Sequence, residues 1–377
     1  MPVTVHDIVE ALFAHAPREL AEPWDNVGLI IGDPRARVRR VLLCVDATQE
    51  ITAEARAMRA QLIVAHHPLF VEPLRHVRAD EIESAVAYDA ARAGVAVCAM
   101  HTNLDYAPEG LCVELARLVG LRDIQPLSAA GASALVKLTV FVPASHVAAV
   151  RAAIAGAGGG RIGRYQECSF EVPGEGTYRP LPGAAPYAGR VGRLERADEV
   201  RLEMVVPRSA LGAAVRAMEA AHPYEEVAYD VYPLANSWPN SARGALGRLL
   251  RAVTVARFAR RVKEVLGASA VRVSDDNRRV RLVAVASGSG GHLVGDATAA
   301  GADALLLGEV RHDGALRARA RGLSVIEAGH FATERPAVDL MRRWLEQDFR
   351  DRVDIAASRV EADPLHGLQG IGAGRRK

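Results

Sequence analysis

The stretch Ile63-Val-Ala-His-His-Pro-Leu-Phe70 sets two adjacent imidazoles and a proline at the end of an apolar run. Successive side chains of an extended segment point to opposite sides. His66 and His67 are therefore expected to diverge, reaching two different ions, or one ion and one substrate. Taken alone, the pair reads equally well as a strand end with two solvent-facing histidines. Two more polar clusters follow apolar runs in the same way: His101-Thr-Asn-Leu-Asp105 after Val95–Ala99, and Gly329-His-Phe-Ala-Thr-Glu334 after Val325 and Ile326. His330 and Glu334 are four residues apart, so one helical turn projects both to the same side. His66, His67, Asp105, His330 and Glu334 form a nitrogen and oxygen donor set that suits Zn, Fe, Mn, Co or Ni rather than a soft-thiolate site. Five donors exceed what one tetrahedral ion takes. The set points to two divalent ions, with Glu334 a candidate bridge. Ions about 3.5–4 Å apart activate water and clamp an oxyanion.

Other candidates carry less. Ser287-Gly-Ser-Gly-Gly291 before a helix could cradle a phosphate on its N–H groups. It lacks the Walker lysine and the full G-x-G-x-x-G spacing, so a bare tight turn fits it equally. Asp46, Glu309 and His312 follow apolar runs and could line the same edge; taken singly, each reads first as a cap or a surface polar residue. His101 and His312 are the candidates for proton transfer or substrate contact. Four cysteines without a C-x-x-C pair suggest neither a disulfide framework nor a thiolate metal site.

The clusters need elements that bring them to one place. Thr4 caps a first helix whose stripe is Ile8, Leu12 and Phe13. Val41–Val45, Leu62–Ala65 and Val95–Ala99 alternate with helices, a rhythm that predicts a mainly parallel sheet whose strand ends share an edge. Residues 125–133 read as a linker, after which the pattern changes. Phe141-Val-Pro-Ala-Ser145 and Val205-Val-Pro-Arg-Ser209 are alike, and each precedes a helix containing Ala-Val-Arg-Ala. This internal β-α repeat predicts a ferredoxin-like α+β insert. A second linker, residues 236–244, returns the chain to its first pattern. The expected fold class is thus α/β, a split domain of residues 1–130 and 237–377 interrupted by an insert over 131–236. The tail from Gly370 is expected to be mobile.

Composition excludes several functions. The net charge is +2, with 47 basic and 45 acidic residues, so nothing predicts a nucleic-acid or membrane partner. No apolar run is long enough to span a bilayer. The N-terminal stretch lacks a basic region followed by an apolar core, which leaves the cytoplasm as the expected location.

Together Trp24-Asp-Asn-Val-Gly-Leu29, His66-His-Pro68, His101-Thr-Asn-Leu-Asp105, Ser287-Gly-Ser-Gly290, Gly308-Glu-Val310 and Gly329-His-Phe-Ala-Thr-Glu334 resemble the NGG-one-interacting-factor-three-like family, also labelled GTP cyclohydrolase 1 type 2 homologues. The insert is similar to the PII/CutA-like domain of the longer bacterial members, through Ile162–Tyr165, Cys168–Phe170 and His222–Asp230. The resemblance implies a dinuclear metal site on His66, His67, Asp105, His330 and Glu334, with His101 nearby. It also implies a toroidal homohexamer with the sites facing an inner cavity. The family often carries two histidines after Gly-Glu-Val-Arg, whereas here His312 is followed by Asp313. The expected function is a metal-dependent hydrolase of a nucleotide-like or phosphorylated small molecule. The alternative is a non-catalytic, metal-binding oligomeric scaffold or regulator whose insert senses a ligand.

Overall fold

Thr4 opens the first helix by reciprocal capping. Its hydroxyl accepts the Asp7 N–H, and the Asp7 carboxylate accepts the Thr4 N–H. The helix, Val5–His15, buries Val5, Ile8, Val9 and Leu12. This computed structural model describes residues 2–128, 134–162, 165–237 and 243–365. They form a mixed α/β fold with three sheets. The chain divides into two compact units, Met1–Ser128 with Asn240–Lys377, and Ala129–Pro239. Among the described residues no helix is long and apolar enough to cross a membrane. The tail from Gly370 lies outside the described residues.

In the split unit, β1 (Gly28–Ile31) runs antiparallel to β4 (Ala96–Ala99), while β2 (Arg40–Cys44), β3 (Leu62–Ala65) and β4 are parallel neighbours. Every residue of β3 and β4 is buried, as expected of parallel strands covered on both faces. The chain then leaves this sheet. The helix Leu111–Leu118 packs against the second sheet, to which β5 (Arg122–Ser128) belongs. Residues 125–128 read as linker in the sequence, yet they are part of that strand. Pro126 is tolerated because β5 is an edge strand.

In the insert, β6 (Ala134–Pro143), β7 (Ser169–Tyr178), β8 (Glu195–Pro207) and β9 (Tyr229–Ser237) form an antiparallel sheet in the order β7-β8-β6-β9. The repeated helices, Val147–Gly156 and Leu211–Ala221, bury Val150, Ile154, Ala214 and Met218 against Leu138, Val140, Leu202 and Met204.

The chain re-enters the split unit through β10 (Arg243–Thr254), antiparallel to β5. β11 (Arg272–Val273), β12 (Arg279–Val285), β13 (Ala304–Leu307) and β14 (Ser324–Glu327) complete the second sheet, with β12, β13 and β14 parallel. The helix Pro336–Phe349 packs on the first helix, and β15 (Asp354–Ala357) joins β2 in the first sheet. The polar clusters thus follow strands of two sheets, β3 and β4 in one, β12 and β14 in the other. Short, fully buried runs announce a strand but carry no information about which sheet it joins.

Candidate metal centre

Beyond the last residue of β3 two further backbone hydrogen bonds tie the chain to its neighbour. The His66 and His67 N–H groups donate to the Cys44 and Val45 carbonyls at 3.0 and 2.9 Å. The imidazoles are then fixed individually. His66 is fully buried, and its Nδ1 donates to the Met100 carbonyl at 2.8 Å. A carbonyl only accepts, so Nδ1 carries the hydrogen and Nε2 is left with its lone pair. That Nε2 lies 3.8 Å from Glu334 Oε1 and 3.9 Å from Asp105 Oδ1, and it has no hydrogen-bond partner.

His67 points Nδ1 at Asp46 Oδ1, 2.7 Å away, and Nε2 at Glu334 Oε2, 2.9 Å away. The latter pair is at ion-pair distance without hydrogen-bond alignment, so Oε2 is also an unpartnered buried atom. His330 and Glu334 share one helical turn, His330–Glu334, and His330 Nε2 is 3.1 Å from Glu334 Oε1. Asp105, in the turn Thr102–Tyr106, accepts the Ser287 hydroxyl at 2.6 Å. Ser287 belongs to the loop after β12, so this bond links the two strand-end groups.

His66 and His67 do not diverge as expected. Both lie past the end of β3, where strand alternation no longer applies, and both face the same carboxylate. His66, His67 and Glu334 offer ligand atoms within 4.8 Å of one another, a group that could hold a metal ion. Burying an imidazole lone pair and a carboxylate oxygen that lack hydrogen-bond partners is costly, and a cation between them would offset both costs. The donor types agree with an ion of the Zn, Fe, Mn, Co or Ni group.

Backbone shape contributes as well. Gly288 adopts φ +48°, and a Cβ there would meet Glu334 Oε1 at 2.1 Å and His330 Nε2 at 3.1 Å. The loop approaches the carboxylate as closely as only glycine allows.

Electrostatics keep protons at the metal-free cluster. Burial works against a charged His67, but Asp46 and Glu334 outweigh it and push the group up to about 10. Glu334 raises His330 to about 9 against the opposing effect of burial. Burial alone would raise Glu334; the approach of His330, His66 and His67 instead holds it well below the ordinary carboxylate range. Burial dominates at Asp105 and raises it.

His101 stands over the cluster, its ring centroid 5.4 Å from those of His66 and His67. Its Nδ1 is 2.9 Å from Asp25 Oδ1, and the buried Asp25 side chain also accepts the Thr102 N–H at 3.0 Å and the Thr102 hydroxyl. Glu309 reaches His330 Nδ1 at 3.3 Å. His312 is exposed at the start of the helix His312–Ala320, without a hydrogen bond or ion pair to the cluster among the described residues. Two cavities, of about 290 and 760 Å³, are both lined by His67, His330 and Glu334. Trp24, exposed and edge-on to His101, lines the smaller; Ser289 and Arg311 line the larger.

Residues 3–364 match the model of the family described as Duf34/NIF3 (NGG1p interacting factor 3). The chain belongs to the DUF34/NIF3 family. A Halalkalibacterium halodurans relative called a GTP cyclohydrolase 1 type 2 homolog is 34% identical over 362 residues, covering 95% of this chain and 97% of that protein. A Mycobacterium tuberculosis relative of the same name is 34% identical over 369 residues, covering 97% of each. The crystal structure of a Bacillus cereus protein related to NIF3 superposes with a TM-score of 0.67 at 34% identity, covering 98% of this chain and 100% of that one. The Staphylococcus aureus protein SA1388 gives a TM-score of 0.69 at 25% identity, covering 97% of this chain and 99% of that one.

Two supporting carboxylates of this DUF34/NIF3 chain were not singled out by sequence reasoning. Asp25 sits within Trp24-Asp-Asn26, a stretch read only as part of a motif; its nearness to a tryptophan in a loop was the available signal. Glu361 accepts the Val45 and Asp46 N–H groups at 2.6 and 3.0 Å, holding the peptide that carries Asp46 against His67. Nothing local marks Glu361, whose Val45 and Asp46 partners lie more than three hundred residues away.

Proposed function

We propose that this family member is a metal-dependent hydrolase of a nucleotide-like or phosphorylated small molecule, with two divalent ions held by His66, His67, Asp105, His330 and Glu334. The observation that carries the reading is the convergence of imidazoles on Glu334 while, among the described residues, buried His66 Nε2 and Glu334 Oε2 lack hydrogen-bond partners. Oε1 faces His66 and His330 while Oε2 faces His67, an arrangement that supports a bridging carboxylate. When bound, such ions supply an acidified water and stabilise developing negative charge.

The chain's own groups supply the rest. Asp46 fixes His67 with Nε2 turned inward, and Ser287 orients Asp105. Asp25 holds His101 by Nδ1, which leaves Nε2 to move a proton at the substrate. The Trp24 indole offers a flat face for a base. Arg311, which has no ion pair among the described residues, offers a cation for a phosphate. GTP is the first substrate to try, since the curated relatives carry a GTP cyclohydrolase homolog label.

Metal-loaded protein should turn over GTP or a phosphoester, and His67→Ala should abolish the turnover. Turnover indifferent to both chelation and that substitution would sink the reading; tight metal binding without turnover would favour the non-catalytic scaffold. The insert reads as ferredoxin-like and PII/CutA-like, supported by its β-α-β-β-α-β order and its repeated helices. Assembly as a cytoplasmic homohexamer belongs to the same proposal, and sedimentation of the full chain tests the hexamer.

A further inference from the structure

The insert has a cavity of its own, about 580 Å³, within the range of roughly 300–1,000 Å³ that takes a metabolite-sized ligand. Its lining residues all fall within Ala129–Pro239, and none of them belongs to the candidate metal centre. Its walls are aromatic: Phe141, Tyr178, Tyr187 and Tyr224. The Tyr187 and Tyr224 rings are 5.8 Å apart and tilted by 42°. The Tyr178 hydroxyl donates to the Ala188 carbonyl at 2.7 Å, and burial with the nearby Glu199 carboxylate holds the Tyr224 phenol protonated, above its ordinary range. The phenols offer a ligand their electron-rich ring faces.

The charges lining the cavity are unbalanced. Four carboxylates line it, Glu175, Glu199, Glu225 and Glu226, against two guanidiniums, Arg179 and Arg201. Arg201 is paired with Glu203 at 2.9 Å, and Arg179 donates to the Gly192 carbonyl at 2.7 Å. Glu175 is neutralised by Arg196. Among the described residues Glu225 accepts only the Ala185 N–H, at 3.0 Å. Among the described residues Glu199, Glu225 and Glu226 have no ion pair. An anion entering this space would meet net negative charge, and a neutral ligand would desolvate carboxylates without compensating them. A cation gains from both the rings and the acids.

We propose that the insert cavity binds a small organic cation, an ammonium- or alkylammonium-bearing metabolite, between the tyrosine faces and the Glu199 and Glu226 carboxylates. The site is separate from the hydrolase reading and stands or falls without it.

The test uses the full-length protein and a charge-only comparison: choline and its neutral isostere 3,3-dimethylbutan-1-ol, titrated by calorimetry. Choline should bind saturably, and the isostere about tenfold or more weakly. Glu199→Gln, Glu226→Gln and Tyr187→Ala should each weaken choline severalfold. Glu226 and Tyr187 are exposed, so those variants should melt like the parent and keep the test readable even if Glu199→Gln destabilises the insert. Equal binding of the isostere, no saturable choline binding, or choline binding unchanged in all three variants would overturn the proposal. So would preferential binding of a phosphate-bearing ligand such as ATP that the same substitutions disrupt.

Discussion

Gly288→Ala offers a direct test of how the candidate metal centre is built, because the backbone cost of the substitution can be separated from its contact cost. Gly288 has φ +48°, and placing a Cβ in the left-handed region costs about 1–2 kcal/mol. Gly94, the C-cap of the helix Ile82–Ala93, has φ +67°, and a Cβ there would meet nothing within 4 Å. Gly94→Ala therefore carries the backbone cost alone. At Gly288 the new methyl would lie 2.1 Å from Glu334 Oε1, so the carboxylate must withdraw by on the order of 1 Å to reach van der Waals distance. A carboxylate end often yields cheaply. This one is buried and flanked by His66, His67 and His330, and ligand distances tolerate only about 0.2 Å. Metal affinity should fall roughly tenfold to a hundredfold in Gly288→Ala and stay unchanged in Gly94→Ala. Zinc or manganese titration against a competing chelator reads the affinity, and denaturant melts of the metal-free proteins read the backbone cost. Two variants equal in affinity would refute the idea that the loop's approach shapes the site.

Metal uptake near neutral pH should release two or more protons, those on His67 and His330 with a share from the raised His66; calorimetry in buffers of different ionisation enthalpy counts them, and a count near zero contradicts the proton-holding cluster. In the metal-free protein these raised groups stabilise fully below the ordinary histidine value of 6.5 and lose that contribution as pH rises through about 9 and 10. The depressed Glu334 contributes above 4.5 and loses its share as pH falls through its lowered native value. Metal-free stability should thus decline from pH 6.5 toward 10 in denaturant titrations. Glu361→Ala should cost about 1–3 kcal/mol of stability and weaken metal binding less than Asp46→Ala does, because it acts on His67 only through the peptide at Val45 and Asp46. Equal losses of metal affinity would contradict that order.

Local spacing carried much of the site in the sequence. The i, i+4 pair His330 and Glu334 sits on one helical turn, and the His-His and His-x-x-x-Asp clusters follow buried strands. Asp25 and Glu361 carry no such signal, because an isolated carboxylate in a loop looks like any solvated acid until its partner is known. Separation in sequence likewise hid the second sheet: β2–β4 and β12–β14 are similar runs of buried residues, with nothing in either to say that they pair apart. The expected divergence of His66 and His67 applied a strand rule beyond the strand's last residue, where Glu334 draws both rings the same way.

Ser128 and Arg243 are paired across β5 and β10, so the chain departs for the insert and returns from it at one rung of the same ladder. In terms of gene architecture, the insert occupies the place of a hairpin turn. The host need not stretch, cross a strand or close a long loop to accommodate it, since the ladder already holds the two ends together. Insertion or loss at that rung is then nearly neutral for the host fold. A chain in which residues 129–242 give way to a short Asn-Gly turn should still fold its two remaining sheets, measurable as a cooperative melt with the metal cluster intact.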